Sequence, residues 1–362
     1  VTAYTLFRNQ NYLGTKVGGS DISNQVTDSK NNIYGLAVGG PIIKNKLFFF
    51  INAEQEKGSR PGITFSPTGG SGAGNVSATH IDSLAKFSNY LKSAFGYETG
   101  AYDNFPNFEN KNTKLLAKID YNITQNHRLT FKYSDFSSEN DQQLNNTSVP
   151  NGGGFSVTGR SGTLTRLPFN RFSNTSMSFA NSNYRFQDKV KTGTLELNST
   201  FGPKISNQFL ATLTKIKTTR TFEGPIFPTI DVFNGSGDNY MTAGMDPFTN
   251  NNDVVNDIFT ITDNFTYYSG KHTITGGVNY EQQRVGNMFM AASNSYYVFN
   301  SLNDLVTNRA PVYYAYTYSL VPGQKAVYSA EVEVGQLGFY AQDELNCNSL
   351  KVTIGLRGDK AI

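Results

Sequence analysis

The residues able to do bond-making chemistry in this chain are few and scattered. The histidines are His80, His127 and His272, and the single cysteine is Cys347. A hydrolytic relay needs a base within reach of a nucleophile and an orienting acid. His80 falls in a segment with a helical pattern, while His127 and His272 each stand beside a tight turn, so no Ser, His and Asp set is indicated and no catalytic residue is assigned. Only a His80-dependent hydrolysis of peptide or lipid would speak for an enzyme. One cysteine excludes an internal disulfide framework and thiolate metal clusters, and neither a metal nor a cofactor is expected. The run from Asp246 to Asp257 has the oxygen-rich composition that calcium favours but lacks the spacing and glycine of an EF-hand loop. It is read as a solvated loop, with calcium-dependent ordering as the functional alternative. Gly69-Gly70-Ser71-Gly72 lacks the flanking strand and helix of a phosphate cradle and is read as a flexible turn. The densest suggestive set is aromatic: Tyr313, Tyr314, Tyr316 and Tyr318, with Tyr296 and Tyr297 nearby. Such rings stack on sugars, peptides and ring ligands, and they also pad strand extensions. These six are the candidate ligand contacts.

The elements that must carry them are strands. The 362 residues are only 38% hydrophobic yet include 34 Gly, 27 Phe and 21 Tyr, a composition that suits strands and long polar loops. No apolar run approaches the length of a membrane-spanning helix, which leaves a strand-built membrane protein open. A net charge of +3 with scattered basic residues gives no patch for nucleic acid, and none is expected as a partner.

Tyr34 to Glu54 predicts a hairpin. Tyr34, Leu36 and Val38 share one face of its first arm and Leu47, Phe49 and Ile51 one face of its second, with Gly39-Gly40-Pro41 and Lys44-Asn45-Lys46 between. Four further pairs follow: Lys114 to Asn122 with Arg128 to Phe136, Lys191 to Phe201 with Asn207 to Thr219, Asp257 to Tyr268 with Thr273 to Gln283, and Gln336 to Leu345 with Leu350 to Asp359. A short strand, Thr2 to Phe7, precedes them. Each pair is joined by a tight turn, the last through Asn346-Cys347-Asn348, and the connections between pairs are long and polar, at about 57–112, 137–190, 220–256 and 284–335. Within them Thr79 to Phe95 reads as a helix with Thr79 and Asp82 at capping positions, and Ser301 to Val306 as a second short one. Both are read as packing devices that rigidify large loops.

Short turns alternating with long loops are the signature of an outer-membrane β-barrel, which puts the two kinds on opposite rims. The strand polarity agrees. Leu115, Ala117, Ile119 and Tyr121 form an oily row against Leu116, Lys118, Asp120 and Asn122; similar rows run along Ile274 to Tyr280 and Leu350 to Leu356. Lys118, Asn279, Glu281 and Arg357 are the candidate lumen-facing residues, and Tyr121, Phe201, Phe265 and Tyr267 fall where an aromatic girdle would sit. Asp263 and Asp343 lie in oily rows close to short turns, where a charge costs about 0 to 1 kcal/mol; a bulge at Asp263 is the alternative.

Tyr34 to Glu54, Leu115 to Asn122, the phrase Tyr297-Val298-Phe299-Asn300-Ser301-Leu302, and Phe339-Tyr340-Ala341-Gln342-Asp343-Glu344 followed by Leu350 to Asp359 together resemble TonB-dependent receptors, most nearly the Oar-like subgroup known from Bacteroidota and other Gram-negative bacteria. Gly358 stands where that family usually has an aromatic, and Leu345 where Trp is common. The resemblance implies an all-β, antiparallel transmembrane barrel, of which residues 1 to 362 supply about ten or eleven strands out of 22. It implies an extracellular substrate imported through a plugged barrel, with lipid and lipopolysaccharide of the outer membrane around it and the TonB-ExbB-ExbD complex reached through a plug upstream. Half a barrel is expected to form an open curved sheet with two unpaired edges. A passive channel or secretion-pore component, or a surface-binding protein or adhesin, are the alternatives to import.

Overall fold

A computed structural model describes residues 1–23, 28–72, 74–145, 171–324, 329–347 and 349–362. The middle of the second long loop, residues 325–328 of the last one and Asn348 of the final turn lie outside these.

The strands pair as the alternation dictates. Eleven of them form one antiparallel sheet in chain order: β1 (Thr2–Asn9), β2 (Lys30–Ile43), β3 (Leu47–Arg60), β4 (Phe108–Asn122), β5 (His127–Gln142), β6 (Tyr184–Phe201), β7 (Ile205–Thr221), β8 (Asn252–Ser269), β9 (His272–Phe289), β10 (Ala330–Cys347) and β11 (Leu350–Ala361). Among the described residues β1 and β11 each pair with one neighbour only, so the sheet is open. The strands run further into every long connection than the sequence pattern indicated, because polar alternation above an oily stretch carries no boundary signal.

Left-handed backbone sits where the tight turns need it, at Asn45 (φ 61°), Gly202 (φ 66°) and Gly270 (φ 61°). The opening hairpin differs from expectation. Gly39, Gly40 and Pro41 lie inside β2, opposite Phe50, Phe49 and Phe48, and only Lys44-Asn45-Lys46 turns the chain. A β-carbon on Gly39 would meet the Phe50 ring at 3.0 Å, so the glycine makes room for the aromatic opposite, and the pairing shifts register between Pro41 and Ile43, where proline's missing N–H does least harm.

Register carries one face across the whole sheet. Leu36 lies opposite Ala53, Ala53 opposite Leu115, Ile119 opposite Phe131, Phe131 opposite Leu195, Leu195 opposite Ala211, Ala211 opposite Ile261, Ile261 opposite Tyr280, and Tyr280 opposite Leu337. Asp263 keeps this register without a bulge, opposite Phe209 and Val278, and takes a hydrogen bond from the Asn207 amide. Asp343 pairs with His272 at 2.6 Å.

The buried core lies elsewhere. Every member of the two buried apolar clusters belongs to a long connection, among them Leu84, Phe87, Phe179, Val232, Met241 and Val298. A second sheet of five short strands gathers three of those connections: Met177–Ser178, Asn239–Ala243, Thr229–Phe233, Tyr296–Phe299 and Tyr313–Ala315, in that spatial order. Against it packs α1 (Ile81–Phe95), which buries Leu84, Phe87 and Leu91 at helical spacing. Phe95, the last residue of the helix, is exposed, and the N-cap is His80 rather than Thr79: the His80 ring accepts from the Asp82 N–H at 3.3 Å, while Thr79 still belongs to the strand Asn75–His80. Gly96 (φ 68°) ends the helix with a Schellman pair of bonds to Lys92 and Leu91. Ser301 caps α2 (Leu302–Val306). The long connections thus fold into a packed cap along one edge of the sheet, opposite the short turns.

Candidate functional site

The cap is tied together at its centre by ions. Arg171, Asp231 and Tyr296 come from three different long connections and are fully buried. Arg171 grips Asp231 with two parallel bonds, Nε to Oδ1 at 3.0 Å and Nη2 to Oδ2 at 2.8 Å. Thr242 Oγ1 and the Tyr296 hydroxyl donate to the same carboxylate at 2.5 Å each. A buried carboxylate with this many donors is compensated, whereas an unpaired one would not be tolerated. Burial, and then the Asp231 charge, push the Tyr296 phenol well above its ordinary range.

This arrangement sorts the candidate tyrosines. Tyr296 is not a ligand contact: it is wholly buried, because its hydroxyl completes the Asp231 set. Tyr313 packs edge-on against it at 5.7 Å and is half-buried. Tyr297 lies against Tyr314 at 4.9 Å and stacks on Phe299. Tyr314, Tyr316 and Tyr318 remain, 51%, 49% and 59% exposed, and Tyr316 and Tyr318 stack with centroids 5.7 Å apart. The last two line an open concavity of about 710 Å³ with Asn250, Asn251 and Ser293. Aromatic faces beside amide and hydroxyl groups can bind flat or ring-shaped polar ligands.

Two further loop readings need correction. Asp246 is buried, not solvated: its carboxylate accepts from the Phe248 N–H at 2.9 Å, from Thr249 Oγ1 at 2.6 Å and from the Asn145 N–H, while Asn252 to Asp257 already belong to β8. Gly69 to Gly72 is a cradle filled from within. Asp103 accepts from the N–H groups of Ser71 at 2.7 Å and Gly72 at 3.0 Å. Partial burial pushes the Asp103 carboxyl up, but these backbone donors outweigh it and hold it below the usual carboxylate range. The glycines permit the approach, since a β-carbon at Gly70 or Gly72 would meet the carboxylate within 3 Å.

Lys118, Asn279, Glu281 and Arg357 share the polar face of the large sheet but form no single site, standing on β4, β9 and β11. Lys118 pairs with Asp120 at 2.7 Å, the Asn279 amide donates to Thr262 at 2.8 Å, Glu281 accepts from Gln283 at 2.8 Å, and Arg357 pairs with Asp359 and lies over the Tyr340 ring. Near the short turns that face borders a polar hollow of about 1070 Å³, reached by Arg128, Gln208, Asn264 and Tyr340. His80 lies in the cap and His127 and His272 at the short-turn edge, so the histidines are not brought together.

A protein-family model described as "outer membrane beta barrel domain" matches residues 2–360. No curated protein matches the chain. Among solved structures, the outer membrane transporter YddB from Escherichia coli superposes with a TM-score of 0.59 at 10% identity over 99% of this chain and 39% of that one. The siderophore receptor PirA from Pseudomonas aeruginosa gives 0.45 at 10% identity, covering 99% and 37%. A variant of the ferric enterobactin receptor PfeA from Pseudomonas aeruginosa, solved with enterobactin, gives 0.46 at 10%, covering 99% and 39%. The chain spans well under half the length of the structures it matches.

Proposed function

The chain belongs to the outer membrane beta barrel domain family, and from that premise we propose that it forms roughly the first half of the barrel of a TonB-dependent receptor, which captures an extracellular substrate and imports it through a plugged pore. The observation that carries this reading is the division of labour across the sheet. One face is oily in every strand, all short turns lie on one edge, and the opposite edge bears a packed cap that offers Tyr314, Tyr316 and Tyr318 to solvent. A passive pore gains little from a cap with its own buried core; a receptor needs one to hold binding residues still.

In this reading Lys118, Asn279, Glu281 and Arg357 line the lumen, where their partly satisfied charges and amides offer transient hydrogen bonds to a passing polar solute. Tyr316 and Tyr318 are the first ligand contacts. Energy coupling is the work of TonB, ExbB and ExbD acting on a plug outside this chain. Reading the encoding DNA outward from both ends tests the proposal. A TonB box and plug upstream with about eleven further strands downstream are expected; a complete reading frame without a plug would sink TonB-driven import.

A further inference from the structure

The open hollow of about 710 Å³ bordered by Tyr316 and Tyr318 has no acidic or basic side chain among the described residues that line it. The two tyrosine rings run nearly parallel, 24° apart, with about half of each residue in solvent. Asn250, Asn251, Ser293 and Gln324 add amide and hydroxyl groups. The backbone around them is held firmly. Asn251 and Ala292 both have left-handed backbone (φ 54° each), which a non-glycine residue keeps only where its neighbours fix it. At Ala292 they do so: its N–H donates to the Pro247 carbonyl at 2.7 Å, and its own carbonyl accepts from the Ser295 N–H at 3.0 Å and the Thr317 N–H at 3.3 Å. Thr317 stands between the two tyrosines, so the ring-bearing segment is pinned to the one that carries Ser293. The Asn250 amide donates to Ser293 Oγ at 2.9 Å, and Ser293 Oγ donates back to the Asn250 carbonyl at 3.1 Å. Among the described residues nothing donates to Asn250 Oδ1 or Asn251 Oδ1, which leaves two acceptors beside the rings.

These groups select by what they lack as well as by what they offer. An anionic ligand brought against them loses water and gains no opposite charge, which is costly, whereas a hydroxyl both donates and accepts and finds both partners in an amide. The C–H faces of a sugar ring are apolar and slightly positive, and they fit the negative face of a tyrosine ring. An extended peptide binds chiefly through its backbone, yet the N–H between the two rings is already spent on Ala292. An open hollow also matches a chain that continues past it better than a small molecule, which needs most of its surface enclosed.

We propose, deepening the receptor reading and resting on its placement of the cap outside the cell, that this hollow captures an uncharged oligosaccharide. Its ring faces lie on Tyr316 and Tyr318, and its hydroxyls donate to Asn250 Oδ1 and Asn251 Oδ1 and accept from the Gln324 amide. The test applies the purified full-length protein in detergent to a printed array of neutral oligosaccharides, uronate-bearing or sulfated oligosaccharides, and extended peptides, and then titrates the best-bound neutral oligosaccharide by calorimetry. Neutral oligosaccharides are bound in preference to the other two classes. Replacing both Tyr316 and Tyr318 by Ala weakens binding roughly tenfold or more, while Phe at both positions keeps it within about twofold because the ring faces do the stacking. Absence of binding to any neutral oligosaccharide, preference for acidic oligosaccharides or for peptides, unchanged affinity in the Ala variant, or an equal loss in the Phe variant each overturns the proposal. Should the Ala variant fail to fold, Asn251→Gly decides: glycine accepts the left-handed backbone and removes one acceptor, so about fivefold weaker binding is expected and unchanged affinity overturns the site. Neutral-oligosaccharide binding by a protein whose reading frame lacks a plug would uphold the site and sink import, so the two readings fail separately.

Discussion

At the residue scale, one buried carboxylate organises the cap. Asp231 draws Arg171, Thr242 and Tyr296 from three chain segments into one place, and its charge is tolerable only while all of them are present. Removing one partner strands the other. Arg171→Met is expected to destabilise the cap by about 3 to 5 kcal/mol, while the double replacement of Arg171 by Met and Asp231 by Leu costs less than either single change. Denaturant unfolding followed by cap-specific hydrogen exchange reads this out; simple additivity of the two changes would disprove the coupling. Asp103 makes a second residue-level prediction. Its folded-state carboxyl is held below the unfolded value, so the stabilisation is full above the unfolded value and is lost as pH falls through the folded one. Limited proteolysis of the segment around Gly69 to Gly72 is therefore expected to accelerate only below the ordinary carboxylate range. Asp103→Asn should remove that acid-triggered step, and a variant that keeps it would point to another group.

At the element scale, the sheet and the cap obey different physics. Strands of the sheet have one face suited to lipid and one to water, so their alternation is strict and they bury little on their own. The cap has an aqueous surround and must bury a core. Within it, α1 contributes Leu84, Phe87 and Leu91, each fully buried. Leu84→Ala is expected to cost about 2 to 5 kcal/mol of cap stability, with no loss of protection in the sheet hydrogen bonds. Hydrogen exchange resolved by segment distinguishes this from global unfolding, which would mean the cap and sheet fold as one unit. The element pattern also explains the misplacement of Gly39 to Pro41 in the opening hairpin. Gly-Gly-Pro is usually turn punctuation, and only the close approach of Phe50 across the strand makes glycine the residue that fits at position 39.

At the scale of the whole molecule, the open edges govern behaviour. β1 and β11 each leave a row of backbone groups without a sheet partner, and hydrocarbon cannot satisfy them. Residues 1 to 362 expressed alone are expected to aggregate rather than insert, whereas, on the receptor reading, the full-length protein is expected to form a barrel that migrates differently with and without heating on a denaturing gel. Heat-modifiable migration of the fragment would show that it closes on itself. On the receptor reading, replacing both Tyr316 and Tyr318 by Ala is expected to lower substrate affinity by roughly tenfold, about 1.4 kcal/mol, without moving the melting temperature. An equal loss in a Tyr296→Phe variant, which alters only buried structure, would place the binding effect in the cap as a whole.

About ten or eleven antiparallel strands in chain order, the oily face and the edge that carries the tight turns were legible in the residues alone. These follow from a period of two and from turn chemistry, both local properties that a chain displays residue by residue. Lys118, Asn279, Glu281 and Arg357 were legible as residues of one face for the same reason. What the long connections do emerged from long-range packing. The strands Thr229–Phe233, Asn239–Ala243 and Tyr296–Phe299 are too short to announce themselves, and each is stable only beside partners from another connection. Six tyrosines close together in sequence therefore looked alike. Burial separated them, making Tyr296 part of the Asp231 tie and leaving Tyr314, Tyr316 and Tyr318 in solvent, because which ring is covered depends on segments far away in the chain.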